Sequence, residues 1–363
     1  MSMDKPMNPY RPIRIGAAQI RLLERLCNAC AVSGDEGEVR KIVLDEIRPV
    51  VDEVKVDALG NVLAVRRSSG QIPRLGVMLD AHMDEVGFMI THDESDGIFR
   101  FDTVGGIDIR QLAGKPVWIG RDHIPGVIGA KPFHLTEVKE MESPISLETL
   151  RIDVGPGSTK VKTGDRAAFA TSFLRVGPSL RAKALDDRLG VAILIELLKN
   201  PPPSVDLLAA FSVQEEIGAR GARVAAFAFD PDLAVAVDST PANDLPSWDD
   251  SENVAYNTHL GAGPALYVAD AGTLSDPRLI RHFMQTAEAL EIPYQLRQPG
   301  SGGTDAGAIH RQRAGIPSLS ISVPGRYPHT AASITRVEDW QNTLSLLYAG
   351  LDRLTPAVLA EER

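Results

Sequence analysis

Residues 185–238 read LDDRLGVAILIELLKNPPPSVDLLAAFSVQEEIGARGARVAAFAFDPDLAVAVD. Within this stretch, 186–200 carries the apolar spacing of a helix, while 206–213 (DLLAAFSV) and 233–238 (LAVAVD) are short, nearly continuous apolar runs. Runs of that kind are what strands buried on both faces require. Apolar strands alternating with helices predict an α/β fold whose mostly parallel sheet is covered on both sides.

The same texture extends outward in both directions. Upstream, 75–80 (LGVMLD) reads as a buried strand ending at His82, and 54–67 (VKVDALGNVLAVRR) as a hairpin turning through Gly60 and Asn61. Before these, Ile20, Leu23, Leu26, Cys27 and Cys30 follow helical spacing. Ser33 and Glu36 form a capping-box pattern ahead of a second stripe, Val39, Ile42, Val43 and Ile47. Downstream come a helix around 278–290, a strand at 317–323 and a last amphipathic helix over 337–354. Between about Val86 and Val176 the chain changes character. Short β-branched runs broken by glycine (FRFDTVGG, KPVWIG, GVIGA, TLRIDVG) predict a barrel-like β unit of about 90 residues. The expected division is therefore 1–85 and 178–363 for the main unit, with 86–177 inserted.

Composition sets limits on function. With 38 basic and 48 acidic residues among 363, the formal charge is -10, which disfavours nucleic acid as a partner and suits metal ions or cationic substrates. No apolar run approaches the roughly 20 residues of a membrane helix, and the start, MSMDKPMNPYRPIR, lacks the apolar core of a signal peptide, so a cytoplasmic, membrane-free protein is expected. The two cysteines, Cys27 and Cys30, form a lone CxxC. It reads either as a redox pair or as two small buried residues on a helix face.

Candidate chemistry gathers at the ends of the expected strands, where α/β sheets collect ligands. His82 and Asp84 lie two apart, on one side of an extended segment, so Asp84 can orient the imidazole. Asp186 opens a helix, where free N–H groups favour its anion and two oxygens can bridge two cations; Asp187 competes for this role, and a plain helix cap is the bland alternative. Glu215 and Glu216 follow a strand and point to opposite sides, so one can bind metal while the other takes a proton from water. Asp238 ends another apolar strand, and His329 follows a third. Two histidines and several carboxylates, without thiolates, suit two divalent ions such as Zn²⁺, Co²⁺ or Mn²⁺, and hence hydrolysis of an amide or ester. Ser33, Ser172 and Ser212 lack a nucleophile-elbow context, and neither GGIDIR nor SGGTDAG is a phosphate loop. His92, His123, His134, His259, His282 and His310 read as surface or packing residues, and Arg297, Arg326 and the acidic stretch near Asp249 are candidates to line a pocket.

The ordered set AHMDEVGFMI (81–90), KALDDRLG (183–190), VQEEIGARGA (213–222), VDS (237–239), SGGTDAGAIH (301–310) and PGRYPHTAAS (324–333) resembles the tetrahedral (TET) aminopeptidases. That family of dinuclear zinc metallopeptidases also holds glutamyl and deblocking aminopeptidases and proteins called endoglucanase. The resemblance implies metal ligands at His82, Asp186, Glu216, Asp238 and His329, with Asp186 bridging, Glu215 as general base and Asp84 orienting His82. It implies attack by a metal-bridging hydroxide on peptides whose free α-amine contacts one ion. It also implies an inserted β unit used in dimerisation and a large homo-oligomer, often a dodecamer. CNAC (27–30) and the 243–259 loop depart from the family pattern and bear on specificity. Three other readings explain less of the chain: a dinuclear deacylase of small N-acyl molecules, a catalytically silent assembly protein, and a glycosidase, whose chemistry needs paired carboxylates but no imidazole ligands.

Overall fold

In the computed structural model the described residues are 13–69, 74–138, 142–157, 160–247, 249, 258–300 and 302–363. Residues 1–12 of the expected tail and most of the 243–259 loop lie outside them. Helices α1 (Ala17–Asn28) and α2 (Gly37–Ile47) precede a hairpin of β1 (Glu53–Val56) and β2 (Val62–Arg66), then β3 (Leu75–His82). β4 (Gly87–Asp93), β5 (Ile98–Val104), β6 (Pro116–Ile119), β7 (Ile124–Gly129), β8 (Arg151–Asp153) and β9 (Arg166–Phe169) close into a barrel in the order β4-β5-β8-β7-β6-β9. The chain returns through β10 (Leu174–Val176) and β11 (Ser179–Ala182) to α3 (Leu185–Lys199), β12 (Val205–Ser212), α4 (Arg220–Phe229) and β13 (Leu233–Pro241). It ends with β14 (Ala265–Tyr267), α5 (Pro277–Ala289), β15 (Gln295–Arg297), α6 (Ala306–Ile309), β16 (Ser318–Arg326), β17 (Ser333–Arg336), α7 (Val337–Asp352) and α8 (Ala357–Ala360).

The large sheet has 11 strands in the order β1-β2-β12-β3-β13-β16-β17-β11-β10, with β14 on β16 and β15 on β14. Its four central strands, β12, β3, β13 and β16, are mutually parallel. Toward the margins the pairs β1–β2, β2–β12, β16–β17, β17–β11 and β11–β10 are antiparallel. Short turns such as Asp57–Asn61 cannot return a chain in parallel, so the parallel order is confined to strands separated by helices.

Alternation along the strands explains the layers. Val77, Leu79, Leu207, Ala209, Phe211, Val235, Val237, Leu319 and Ile321 face one side, where they meet apolar residues of α1, α2, α3, α5 and α7. Met78, Ala210 and Ala234 face the other, against Ala222, Ala225 and Ala226 of α4 and Ile309 of α6. Helix α3 is buried nearly all round, from Val191 through Ile195, because it is wedged between the sheet and other helices. Truncating one of its fully buried leucines to alanine would cost roughly 2–5 kcal/mol. The barrel has its own apolar interior, including Phe88, Ile90, Phe101, Val117, Ile152 and Phe169. Phe88 meets Phe101 and Phe169 edge-on at 5.3 and 5.2 Å between ring centres.

Two expectations at the N-terminal end need correction. The Ser33–Glu36 capping box does not form: Glu36 itself precedes α2 without a side-chain cap. The Ser33 hydroxyl instead donates to the buried Asp84 carboxylate at 2.6 Å, a charge-assisted bond. Cys27 is buried in α1, but Cys30 lies beyond the helix end at Asn28 and is only partly buried, so the two do not share a helix face. Both are free thiols. Among the described residues no helix is long and apolar enough to cross a membrane.

Candidate metal centre

Because the four central strands run parallel, their C-terminal ends open on one edge of the sheet. Four of the five expected ligands stand at these ends or just beyond them. His82 ends β3 directly beside Ser212 at the end of β12, which leads into Glu215 and Glu216; Asp238 lies in β13 beside Ser322 of β16, which leads to His329. The fifth, Asp186, comes from the start of α3. All five converge. His82 Nε2 is 3.2 Å from Asp186 Oδ1 and 3.8 Å from Asp238 Oδ1. His329 Nε2 is 3.4 Å from Asp186 Oδ2 and 3.3 Å from Glu216 Oε2.

The competition between Asp186 and Asp187 resolves by division of labour. Neither has helical backbone angles, and the peptide joining them is cis. Asp187 Oδ1 accepts the Gly190 N–H at 3.0 Å, so Asp187 and not Asp186 takes the helix-end amide, and its Oδ2 accepts the His82 N–H at 3.2 Å. Asp186 is thereby left with one oxygen toward each histidine, and its buried Oδ1 makes no hydrogen bond.

Asp84 is fully buried and differs in its contacts from the simple expectation. The nearest acceptor to His82 Nδ1 is the Asp84 backbone carbonyl at 3.2 Å, with the carboxylate at 3.6 Å. The carboxylate instead receives the consecutive N–H groups of Glu215 and Glu216 at 3.0 and 3.2 Å, besides the Ser33 hydroxyl. It therefore fixes the turn on which both glutamates stand. Glu216 faces His329, whereas Glu215 lies toward His82, Asp305 and Asp238.

Electrostatics at this edge is dominated by burial. It pushes Glu216 up to about 8 and Glu215 well above the usual carboxylate range, and Asp238 is raised for the same reason. Burial also opposes a charge on the histidines, but carboxylates outweigh it: Asp186, Asp238 and Asp84 raise His82, while Asp186 and Glu216 raise His329 to about 10. Asp186 is itself held low, against its burial, by the two imidazoles it faces, His329 and His82. Carboxylates crowded in this way around two imidazoles, with a buried Asp186 oxygen that no hydrogen bond satisfies, form a donor set suited to divalent metal ions. His82, Asp186 and Glu216 bring ligand atoms within 4.8 Å of one another, as do His82, Asp187 and Asp238.

Several supporting residues carried no signal in the sequence reading. The barrel contributes Gly106, whose carbonyl accepts from His329 Nδ1 at 2.9 Å. The adjoining Gly105 has φ +84, and a Cβ there would approach Val86 and Glu216 to 2.8 and 3.3 Å. Ser212 joins the buried Asp80 and Asp305 at 2.9 and 3.0 Å, giving SGGTDAG a place behind the cluster that its glycines did not suggest. Lys183, beside the aspartates in KALDD, pairs with Glu85 at 2.7 Å, and fully buried Arg188 donates to the Met83 and Asp84 carbonyls. Ala184, Gln214, Tyr327 and His329 all have positive φ, a conformation that costs about 1–3 kcal/mol each and gathers at sites where position matters. Of the pocket candidates, Arg297 is buried over the Tyr267 ring at 4.3 Å and Arg326 pairs with Asp244 at 2.6 Å.

Comparison with known proteins agrees over most of the chain. The M42 glutamyl aminopeptidase family model matches residues 60–346. The lysyl aminopeptidase of Pyrococcus furiosus is 34% identical over 348 residues, covering 92% of this chain and 97% of its own. Among solved structures, aminopeptidase APDkam598 of the archaeon Desulfurococcus kamchatkensis superposes with a TM-score of 0.87 at 33% identity, covering 94% and 96% of the two chains. The Pyrococcus horikoshii TET1 peptidase, described as assembling into a tetrahedron or a large octahedral shell, gives 0.81 at 31% identity, covering 93% and 100%.

Proposed function

Since the chain belongs to the M42 glutamyl aminopeptidase family, and is thus a hydrolase acting on peptide bonds, we propose that it releases single N-terminal residues from short peptides at the cluster around Asp186. The observation that carries this reading is the Asp186 carboxylate set between His82 and His329, one oxygen toward each. His82 and Asp238 would hold one divalent ion, His329 and Glu216 the other, and Asp186 both; zinc fits best, cobalt or manganese next. When bound, such a pair polarises a scissile carbonyl and acidifies water.

The remaining work falls to the chain's own residues. Glu215 accepts the proton of the attacking water and returns it to the leaving amine. Its burial, which raises its proton affinity, suits both halves of that task. Asp84 keeps Glu215 and Glu216 in place through their amides. We assign 1–85 and 178–363 to one catalytic unit and 86–177 to an insert that mediates dimerisation. Dimers would build a larger homo-oligomer, a reading supported by the Pyrococcus horikoshii relative, which is described as assembling into a tetrahedron or a large octahedral shell.

The test is hydrolysis of aminoacyl-p-nitroanilides and short peptides by metal-stripped protein, before and after Zn²⁺, Co²⁺ or Mn²⁺. Metal-restored release of the N-terminal residue, abolished by N-acetylation, is expected, and cleavage only of N-acyl substrates would transfer the site to a deacylase. In the same assay Glu215→Gln should keep its metal and lose about 10²–10⁴-fold in kcat; near-normal turnover would remove Glu215 from the base role.

A further inference from the structure

A second set of ligating groups lies away from this edge, at the seam between the main unit and the barrel. Cys30, in the connection between α1 and α2, Glu38 in the first turn of α2, and His123 in the β6–β7 turn place Sγ, a carboxylate oxygen and an imidazole nitrogen within 4.8 Å of one another. We propose that these three side chains form a third, mixed-ligand zinc site that clips the α1–α2 connection to the barrel.

The surroundings orient Glu38 and His123 for that role, whereas burial pushes the Cys30 thiol up to about 12, so that the metal itself must displace its proton. One Glu38 oxygen accepts the Cys30 N–H at 3.0 Å, which orients the carboxylate and turns its other oxygen to His123 Nε2 at 2.5 Å. The His123 ring is stacked on Trp118 with centroids 6.4 Å apart, and its backbone φ of +49 turns it toward α2. Supports of this kind, behind the ligands, are what metal sites use to fix ligand geometry. A cavity of about 370 Å³ adjoins the cluster and leaves room for a water in the fourth position.

Neighbouring cations are mostly engaged elsewhere. Arg121 pairs with Asp35 at 3.4 Å, and Arg166 donates to the Ser33 and Gly164 carbonyls, leaving Lys41 at the rim. One sulfur, one nitrogen and one oxygen make a borderline-soft set that prefers Zn²⁺ over the hard Mg²⁺ or Ca²⁺. Coordination replaces the Glu38–His123 hydrogen bond, with the ring proton carried on Nδ1 so that Nε2 is free to ligate, and releases the Cys30 thiol proton to solvent, so Zn²⁺ is bound by a thiolate, a carboxylate and a neutral imidazole.

Cobalt separates this site from the strand-end cluster, because a thiolate gives Co²⁺ a near-ultraviolet charge-transfer band and imidazole or carboxylate ligands do not. Metal-stripped protein titrated with Co²⁺ is expected to develop a band whose final amplitude corresponds to one thiolate-bound Co²⁺ per chain, to lose it on adding Zn²⁺, to keep it in C27S and to lack it in C30S. His123→Asn, on the exposed turn and with both cysteines intact, should weaken Co²⁺ at this site by at least about tenfold. Absence of the band in the wild-type protein, its survival in C30S, or unchanged Co²⁺ affinity in His123→Asn would overturn the proposal. The readout is independent of peptidase activity.

Discussion

The edge of the large sheet and the barrel have equally apolar interiors, yet they treat polar groups in opposite ways. At the sheet edge His82, Asp84 and Asp238 are buried, and each is tied to a strand end or to a neighbouring amide. The barrel lends that edge the Gly106 carbonyl, and the connection between β7 and β8 leaves apolar side chains in solvent: Phe133, Leu135 and Val138 are 79%, 61% and 68% exposed. Placement on ends of rigid strands suits chemistry that depends on fractions of an ångström. An apolar outer surface suits association.

That contrast can be tested by breaking one side at a time. Asp186→Ala removes the group that faces both histidines, and is expected to abolish metal retention and reduce hydrolysis to background, as read by elemental analysis and turnover. Asp84→Asn keeps size but gives the Glu215 and Glu216 amides a neutral partner, and should lower kcat by about 10–100-fold with the fold intact by circular dichroism.

Removing the ions from the unaltered protein gives a smaller effect, on stability. Glu216 rises from 4.5 to about 8 and His329 from 6.5 to about 10 on folding. Both bind protons more tightly in the folded state, so their contribution is complete below the unfolded values and is lost as pH rises through the folded ones. Metal-free protein should therefore melt at lower temperature at pH 8 than at pH 5, with added Zn²⁺ closing the gap; a flat profile would contradict the crowding described for the edge. Least of all should Phe133→Ser with Leu135→Ser affect the chemistry: kcat on a dipeptide-sized substrate is expected to stay within about twofold, while sedimentation shifts to smaller species.

Much of this was legible in the sequence because apolar strands announce their own ends. His82, Glu215, Glu216, Asp238 and His329 could be found by where LGVMLD, DLLAAFSV, LAVAVD and PSLSISV stop. The barrel was legible from glycine-broken β-branched runs. Asp186 against Asp187 was not, since both sit at the start of one helix and only backbone angles decide which carboxylate takes the helix-end amide. The partners of Ser33 and Ser212 were also hidden: contacts such as Ser33 to Asp84 join residues 51 apart in the chain, and no local pattern encodes them. His123 reads in the sequence as a surface or packing residue because Glu38 lies 85 positions away in the chain and no local pattern joins them.

The burial of α3 has a further consequence for how the site moves. Asp186 and Asp187 stand at the head of a helix packed on nearly every side, whereas His329 hangs on the stretch after β16 with 39% of its side chain exposed. Fluctuations that carry Asp186 away require the cooperative melting of the whole core, but His329 can swing out by sub-global opening of a few residues. Amide exchange should thus be slowest around one histidine and fast around the other, giving the cluster one jaw that is part of the scaffold and one that breathes.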